Sequence, residues 1–305
     1  MFALGSSYSP GPVPALVALV AVTAVWGVTF VQVKDAIELY PLFAFLAVRF
    51  AIAAATLAVP ARTRVRRLGR EGLVAGVVLG MLVAAAFGLQ TAGLERTTVS
   101  STGFITGLYV VLTPLFALLL FRQRIGLFVW LGVALAIAGL ALLSGIEAGS
   151  ATGDLLVLAS AVATALQILM VERYATRFDA LGLTFVEMAS CCVGFLLIAL
   201  ALGDLDVPRG WTVWGALLVT GIFSSALGYL IQIWAQQRIS ATRIALVFSL
   251  EAVWAGFFGY LLADDRLGLV GWSGCALILA GIVVAEPAAA EVLRRLPSAA
   301  QRRRA

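Results

Sequence analysis

There is no histidine among the 305 residues, only three cysteines, and charged side chains make up 12 % of the chain. Each shortage closes off a class of function. Without histidine, the commonest acid–base and metal-ligating group is missing. Two of the cysteines, Cys191 and Cys192, are adjacent and lie in an apolar stretch, so there is neither metal-ligand spacing nor a disulfide framework. We read them as small packing residues. No glycine-rich phosphate loop of the Walker type occurs, which argues against ATP drive from this chain.

What fills the chain instead is hydrophobic: 62 % of residues, with a mean hydropathy of +1.04. A water-soluble domain of this size could not stay dissolved with that composition, so the sequence is read as a polytopic membrane protein. Apolar runs cover 13–33, 40–60, 72–93, 99–121, 125–145, 152–172, 180–202, 211–237, 242–263 and 266–286. Each is long enough to cross about 30 Å of hydrocarbon at 1.5 Å per residue. They are continuous rather than alternating, which predicts an all-α membrane protein of ten transmembrane helices, not a barrel. The first twelve residues lack the basic region of a cleavable signal, so the first run is read as a retained span.

One motif occurs twice. Arg124-Ile-Gly-Leu-Phe-Val-Trp-Leu-Gly-Val-Ala-Leu-Ala-Ile-Ala-Gly-Leu140 and Arg266-Leu-Gly-Leu-Val-Gly-Trp-Ser-Gly-Cys-Ala-Leu-Ile-Leu-Ala-Gly-Ile282 agree at 9 of 17 positions, five spans apart. A repeat unit with an odd number of crossings must return upside down. That predicts two inverted five-helix repeats, 13–145 and 152–286, an arrangement typical of transporters. A basic tail, 287–305, follows.

Loop charge gives the expected orientation. Sixteen arginines, in the segments 62–70, 122–124, 173–177, 238–243 and 294–304, fall to one side. Four basic residues, Lys34, Arg96, Arg209 and Arg266, fall to the other. By the positive-inside rule both termini are expected in the cytoplasm, in a multi-pass protein of a bacterial-type plasma membrane. The tail arginines read as a solvated topology signal, with no nucleic-acid partner implied.

An ionisable side chain at the centre of a span costs about 2.5–3.5 kcal/mol on insertion scales, so each one needs a reason. Three qualify: Arg49, Glu187 and Glu251. Phe248, Trp254, Ala255 and Phe258 share a helical face with Glu251 at i−3, i+3, i+4 and i+7. A carboxylate among aromatic rings suits a cationic group, and a buried one suits proton exchange. Arg49 and Glu187 occupy matching places in the two halves and are read as structural charges. Glu187 lies close enough to the cytoplasmic boundary to snorkel. Polar stripes run along several spans: Trp26, Thr29 and Gln32; Gln90 and Thr91; Thr102, Thr106, Tyr109 and Thr113; Thr164 and Gln167; Ser225, Tyr229, Gln232 and Gln236. One such residue can simply glue helices together; five helices doing so predict a shared wet cavity. Glycines 72, 76, 80, 132, 139, 274 and 281 permit close helix approach, within the bundle or across a homodimer face. Both a monomer and a homodimer stay open.

The chain resembles the EamA type of the drug/metabolite transporter superfamily. The residues that carry the likeness are Trp26-Gly27, Arg49, Gln90-Thr-Ala-Gly-Leu94 with Thr97-Thr-Val-Ser100, and Leu112-Thr-Pro114. Phe248-Ser-Leu-Glu251, Asp264-Asp-Arg266 and the paired motif of the fifth and tenth spans complete it. The resemblance implies a secondary transporter without cofactor or metal, with a central cavity lined by spans one, three, four, six, eight and nine. It makes Arg49 a hallmark of the fold. Ala252 stands where the family often has proline, which predicts that the second half lacks the helix break Pro114 provides in the first. Gln123 and Asp265 replace the usual glutamate before the repeat motif.

Taken together these readings predict alternating access for a small organic solute: export of an amino acid, amine or related metabolite, with protons as the candidate coupling ion. The solute-binding candidates are Trp26, Gln90, Thr106, Tyr109, Gln167, Tyr229, Gln232, Glu251 and Trp254, with Glu251 also the proton-coupling candidate. The rivals are an importer or uniporter of the same superfamily, a membrane-embedded enzyme, which would need catalytic groups this sequence lacks, and a non-transporting subunit.

Overall fold

The computed structural model describes residues 12–97, 99–144, 150–262 and 268–285. The Gly/Ser-rich link at 145–149, Asp264, Asp265, Arg266 and the basic tail lie outside the described residues. Among the described residues the chain is all helical. The elements are α1 (Pro12–Ile37), α2 (Leu42–Leu94), α3 (Val99–Gly107), α4 (Tyr109–Phe121), α5 (Leu127–Ser144), α6 (Ala151–Ala175) and α7 (Ala180–Leu202). They continue with α8 (Trp211–Val219), a π-helical segment (Thr220–Leu227), α9 (Gly228–Gln236), α10 (Ala241–Phe248), α11 (Leu250–Leu262) and α12 (Leu269–Ala285).

Six stretches are long and apolar enough to cross a membrane: Leu42–Leu94, Ser101–Phe121, Ala151–Ala175, Ala180–Leu202, Trp211–Gln236 and Ala241–Phe258. Shorter apolar helices cover Val13–Thr29, Leu127–Leu143 and Leu269–Ala285. Large apolar side chains such as Leu119, Leu197, Leu200 and Val283 are exposed, as suits a surface solvated by lipid.

At 53 residues α2 would be about 80 Å long if straight, far more than a bilayer. It folds back instead at Gly69, whose φ of 63° is open to a residue without Cβ. The two arms then face each other, with the Phe50 and Phe87 rings edge-to-face at 5.6 Å. The basic run after Pro60, which reads as a loop in sequence, is thus helical up to Gly69. Alanine, leucine and arginine are good helix formers, and one proline in an already long helix bends it without ending it.

The two copies of the repeat motif pack on each other. A Cβ added at Gly132 would lie 2.5 Å from the Gly281 carbonyl oxygen, and one at Gly281 would lie 2.5 Å from that of Gly132. Gly139 and Gly274 repeat the pattern at 2.5 and 2.6 Å. Rising numbers on α5 meet falling numbers on α12, so the pair is antiparallel and related by a local two-fold axis. Gly76 and Gly80 similarly let α2 close on α7, Gly80 meeting the Glu187 carbonyl, while Gly72 makes room for the Phe178 ring just before α7. These glycines are therefore used inside the bundle.

The helix ends sort into two groups. At one end Arg64 pairs with Asp179 at 2.9 Å and Arg177 with Glu71 at 2.6 Å, while Glu172 accepts from Gln123 and from the Ala241 amide, both at 3.0 Å. At the other, Tyr40 donates to the Asp206 carbonyl at 2.6 Å and Thr97 to Asp154 at 2.5 Å. Ion pairs and hydrogen bonds thus join the segments 62–70, 122–124, 173–177 and 238–243 at one end of the bundle.

Candidate functional site

Two helix breaks shape the interior. α3 and α4 are interrupted at Leu108 (φ −62°, ψ −14°), and α10 and α11 at Ser249 (φ −61°, ψ −15°), both with near-helical dihedrals that loosen the ladder without turning the chain. The expected loss of the break in the second half is therefore corrected: it is present without a proline. The Ser249 hydroxyl donates to the Leu246 carbonyl at 2.6 Å, a local bond that competes with the regular ladder. Glu251 follows in the first turn of α11, where unpaired amides favour a negative charge.

Glu251 is partly accessible and lies within Coulombic range of Arg49 on α2, Tyr109 on α4 and Tyr229 on α9. The cluster thus draws on both halves of the chain. Trp26 closes it from α1: its ring meets Phe248 edge-to-face at 4.8 Å and Tyr229 at 6.0 Å, and its indole N–H donates to the Ser224 carbonyl at 2.9 Å. Arg49 is buried and anchored. Its Nε donates to the Ser225 hydroxyl at 2.9 Å, an Nη to the Ser224 hydroxyl at 3.0 Å, and its guanidinium lies over the Phe50 and Phe87 rings. No carboxylate is within ion-pair distance of it among the described residues.

The π segment presents those serines. Its ladder includes a bond from the Gly228 amide to the Phe223 carbonyl, five residues back. Gly221 lets the segment sit on α2 beside the Arg49 carbonyl, where a Cβ would come within 3.0 Å. Short π segments inside α-helices recur at functional sites. Ser225 was visible in the polar stripe, but Ser224 and the π register had no sequence signal.

The remaining candidates do not all converge on Glu251. Gln90 donates to Thr106 at 3.0 Å, tying the second arm of α2 to α3. Thr29, Thr113 and Thr164 spend their hydroxyls on carbonyls of their own helices, so those stripe positions offer no free donor. The Trp254 backbone packs over Gly27 of α1, and its ring stacks with Phe258. Gln167 and Gln232, 4 % and 1 % exposed, are locked into a network with Glu187 and Gln236 behind the Glu251 cluster. Glu187 is 0 % exposed, so it does not snorkel.

Residues 13–145 and 151–285 match the model of the EamA-like transporter family. The chain belongs to that family. An uncharacterized transporter of Archaeoglobus fulgidus is 30 % identical over 268 residues, covering 87 % of this chain and 83 % of the relative. The uncharacterized transporter YoaV of Bacillus subtilis is 21 % identical over 281 residues, covering 88 % and 96 %. A crystal structure sharing 20 % identity superposes with a TM-score of 0.77 over 92 % of this chain and 99 % of that one, so the fold is shared. This EamA-like chain is a multi-pass membrane transporter.

Proposed function

We propose that the chain is a secondary transporter with alternating access, built from two inverted five-helix repeats, 13–145 and 152–286, with ten spans and both termini in the cytoplasm. In this count α2 supplies spans two and three, folded at Gly69. The helix pairs α3–α4 and α10–α11 are spans four and nine, and α8, the π segment and α9 form span eight. The antiparallel glycine seam of α5 and α12 supports the inversion. The gathering of the basic segments at one end supports the orientation.

The solute in this reading is a small organic metabolite, an amino acid, amine or related compound, moved outward. The observation that carries it is the placement of Glu251: a carboxylate at a helix interruption, within electrostatic reach of tyrosines from both halves and of the anchored cation Arg49. A carboxylate beside aromatic rings binds an ammonium group, and a cation in the same space suits the carboxylate of a zwitterion. A group that accepts a cation in one half-cycle and a proton in the other couples the two fluxes, and Glu251 takes that part. A thermal-shift screen of the purified protein against amino acids and amines tests the reading. Stabilisation by one of them that Glu251→Gln abolishes supports it; equal stabilisation of the variant contradicts it.

A further inference from the structure

We propose that Glu187 is a second proton-holding carboxyl of this transporter, with Oε2 as the atom that carries the exchangeable proton. Glu187 sits on α7 in the bundle interior, and the Glu251 account makes no use of it. Its Oε1 accepts from Gln167 Nε2 at 2.9 Å. Its Oε2 is buried and has no hydrogen-bond partner. No arginine or lysine lies within ion-pair distance among the described residues. A charged carboxylate with one neutral donor and no counter-ion is costly in such a place, and a proton removes the cost.

The amide chain behind it fixes which oxygen is free. Gln236 Nε2 donates to the Ile168 main-chain carbonyl at 2.7 Å. A carbonyl cannot donate, so the Gln236 amide has one acceptable orientation, which turns its Oε1 toward Gln232. Gln232 Nε2 then donates both to Gln236 Oε1 and to Gln167 Oε1, each at 3.0 Å. That leaves Gln167 Nε2 to point at Glu187. The polarity of four side chains thus follows from one backbone carbonyl on α6, and it ends in a donor aimed at Oε1. A proton on Oε1 would meet that N–H head-on, so it resides on Oε2.

The groups facing this carboxyl fit the assignment. Cys191 lies one turn further along α7, Tyr229 approaches from α9, and the Gln167 amide comes from α6. On the α2 side Gly80 brings backbone against backbone. Cys191 and Tyr229 each interact electrostatically with both Glu187 and Arg49, so the two sites share these neighbours. Tyr229 lies within electrostatic reach of both carboxyls, so a proton on Oε2 is felt at the Glu251 cluster through it. The inference rests on the transporter reading for its use in coupling, but not for the protonation itself.

The test is infrared difference spectroscopy of the full-length protein in lipid nanodiscs across pH steps, in H2O and in D2O. The expected result is a protonated-carboxyl C=O band that responds to pH and shifts on deuteration. Glu187→Gln should remove this band and Glu251→Gln should retain it. Gln167→Leu should move it to higher frequency, because Oε1 loses its donor. Survival of the band in Glu187→Gln, or no pH- and deuterium-sensitive carboxyl band in the wild type, overturns the proposal. If Glu187→Gln does not assemble, an unshifted band in Gln167→Leu overturns it equally. None of these outcomes depends on the solute, so failure here is separate from failure of the solute assay.

Discussion

Replacing Gly132 or Gly281 by alanine probes the seam that relates the two halves. In each case the new Cβ would sit 2.5 Å from the facing carbonyl oxygen, about 0.9 Å short of ordinary contact. The obstacle is backbone on both sides, so the helices must part, and overpacking of this kind costs about 1–3 kcal/mol. The reciprocal approach, with each new Cβ at the same 2.5 Å from the other glycine's carbonyl, makes the costs of the single changes equal to within about 0.5 kcal/mol. It also makes them non-additive: once α5 and α12 have separated for one methyl group, the second finds the space already open. The double variant should therefore be more stable than the summed singles by about 1 kcal/mol. Gly215→Ala on α8, where nothing lies within 4 Å, is the control and should be neutral or stabilising by up to about 1 kcal/mol. Equilibrium unfolding in mixed micelles reads all four variants. Neutral single changes, or one costly and one silent, would refute a symmetric seam.

Arg49→Lys keeps the charge but loses the guanidinium fork to Ser224 and Ser225, and thermal unfolding should show a loss of about 1 kcal/mol, with Arg49→Met costing more. Asp179→Ala should destabilise by about 1 kcal/mol through the lost cap on the Gly182 amide. Arg64→Ala removes an ion pair half open to solvent, so it should cost less, and that smaller cost should vanish in high salt. Gln90→Leu breaks its bond to Thr106 and should cost about 0.6 kcal/mol by the same unfolding assay.

Much of the architecture was legible because hydropathy and a repeated motif are strong signals. The Arg124 and Arg266 motifs announce the helices that turn out to face each other through Gly132, Gly139, Gly274 and Gly281. Local geometry was less so. The run 61–68 looks like a loop because its arginines are polar, yet arginine is a good helix former and only Gly69 turns the chain. The absence of proline hides the interruption before Glu251, although a serine bonding back to its own helix serves as well. The π segment has no composition cue, and its serines decide how Arg49 is held. Periodicity found Gln167 and Gln232 on polar faces but could not tell a residue facing the solute cluster from one turned toward Glu187. That distinction belongs to helix rotation, which tertiary packing sets.

The central claim, that Glu251 binds the cationic group of the transported solute, is tested most directly by counterflow in proteoliposomes. Vesicles loaded with an unlabelled amino-acid and amine mixture are supplied with labelled members of the same set. Wild-type protein should accumulate label, Glu251→Gln should lose at least tenfold of it, and Glu251→Asp should retain part. Undiminished exchange by a folded Glu251→Gln variant would contradict the account.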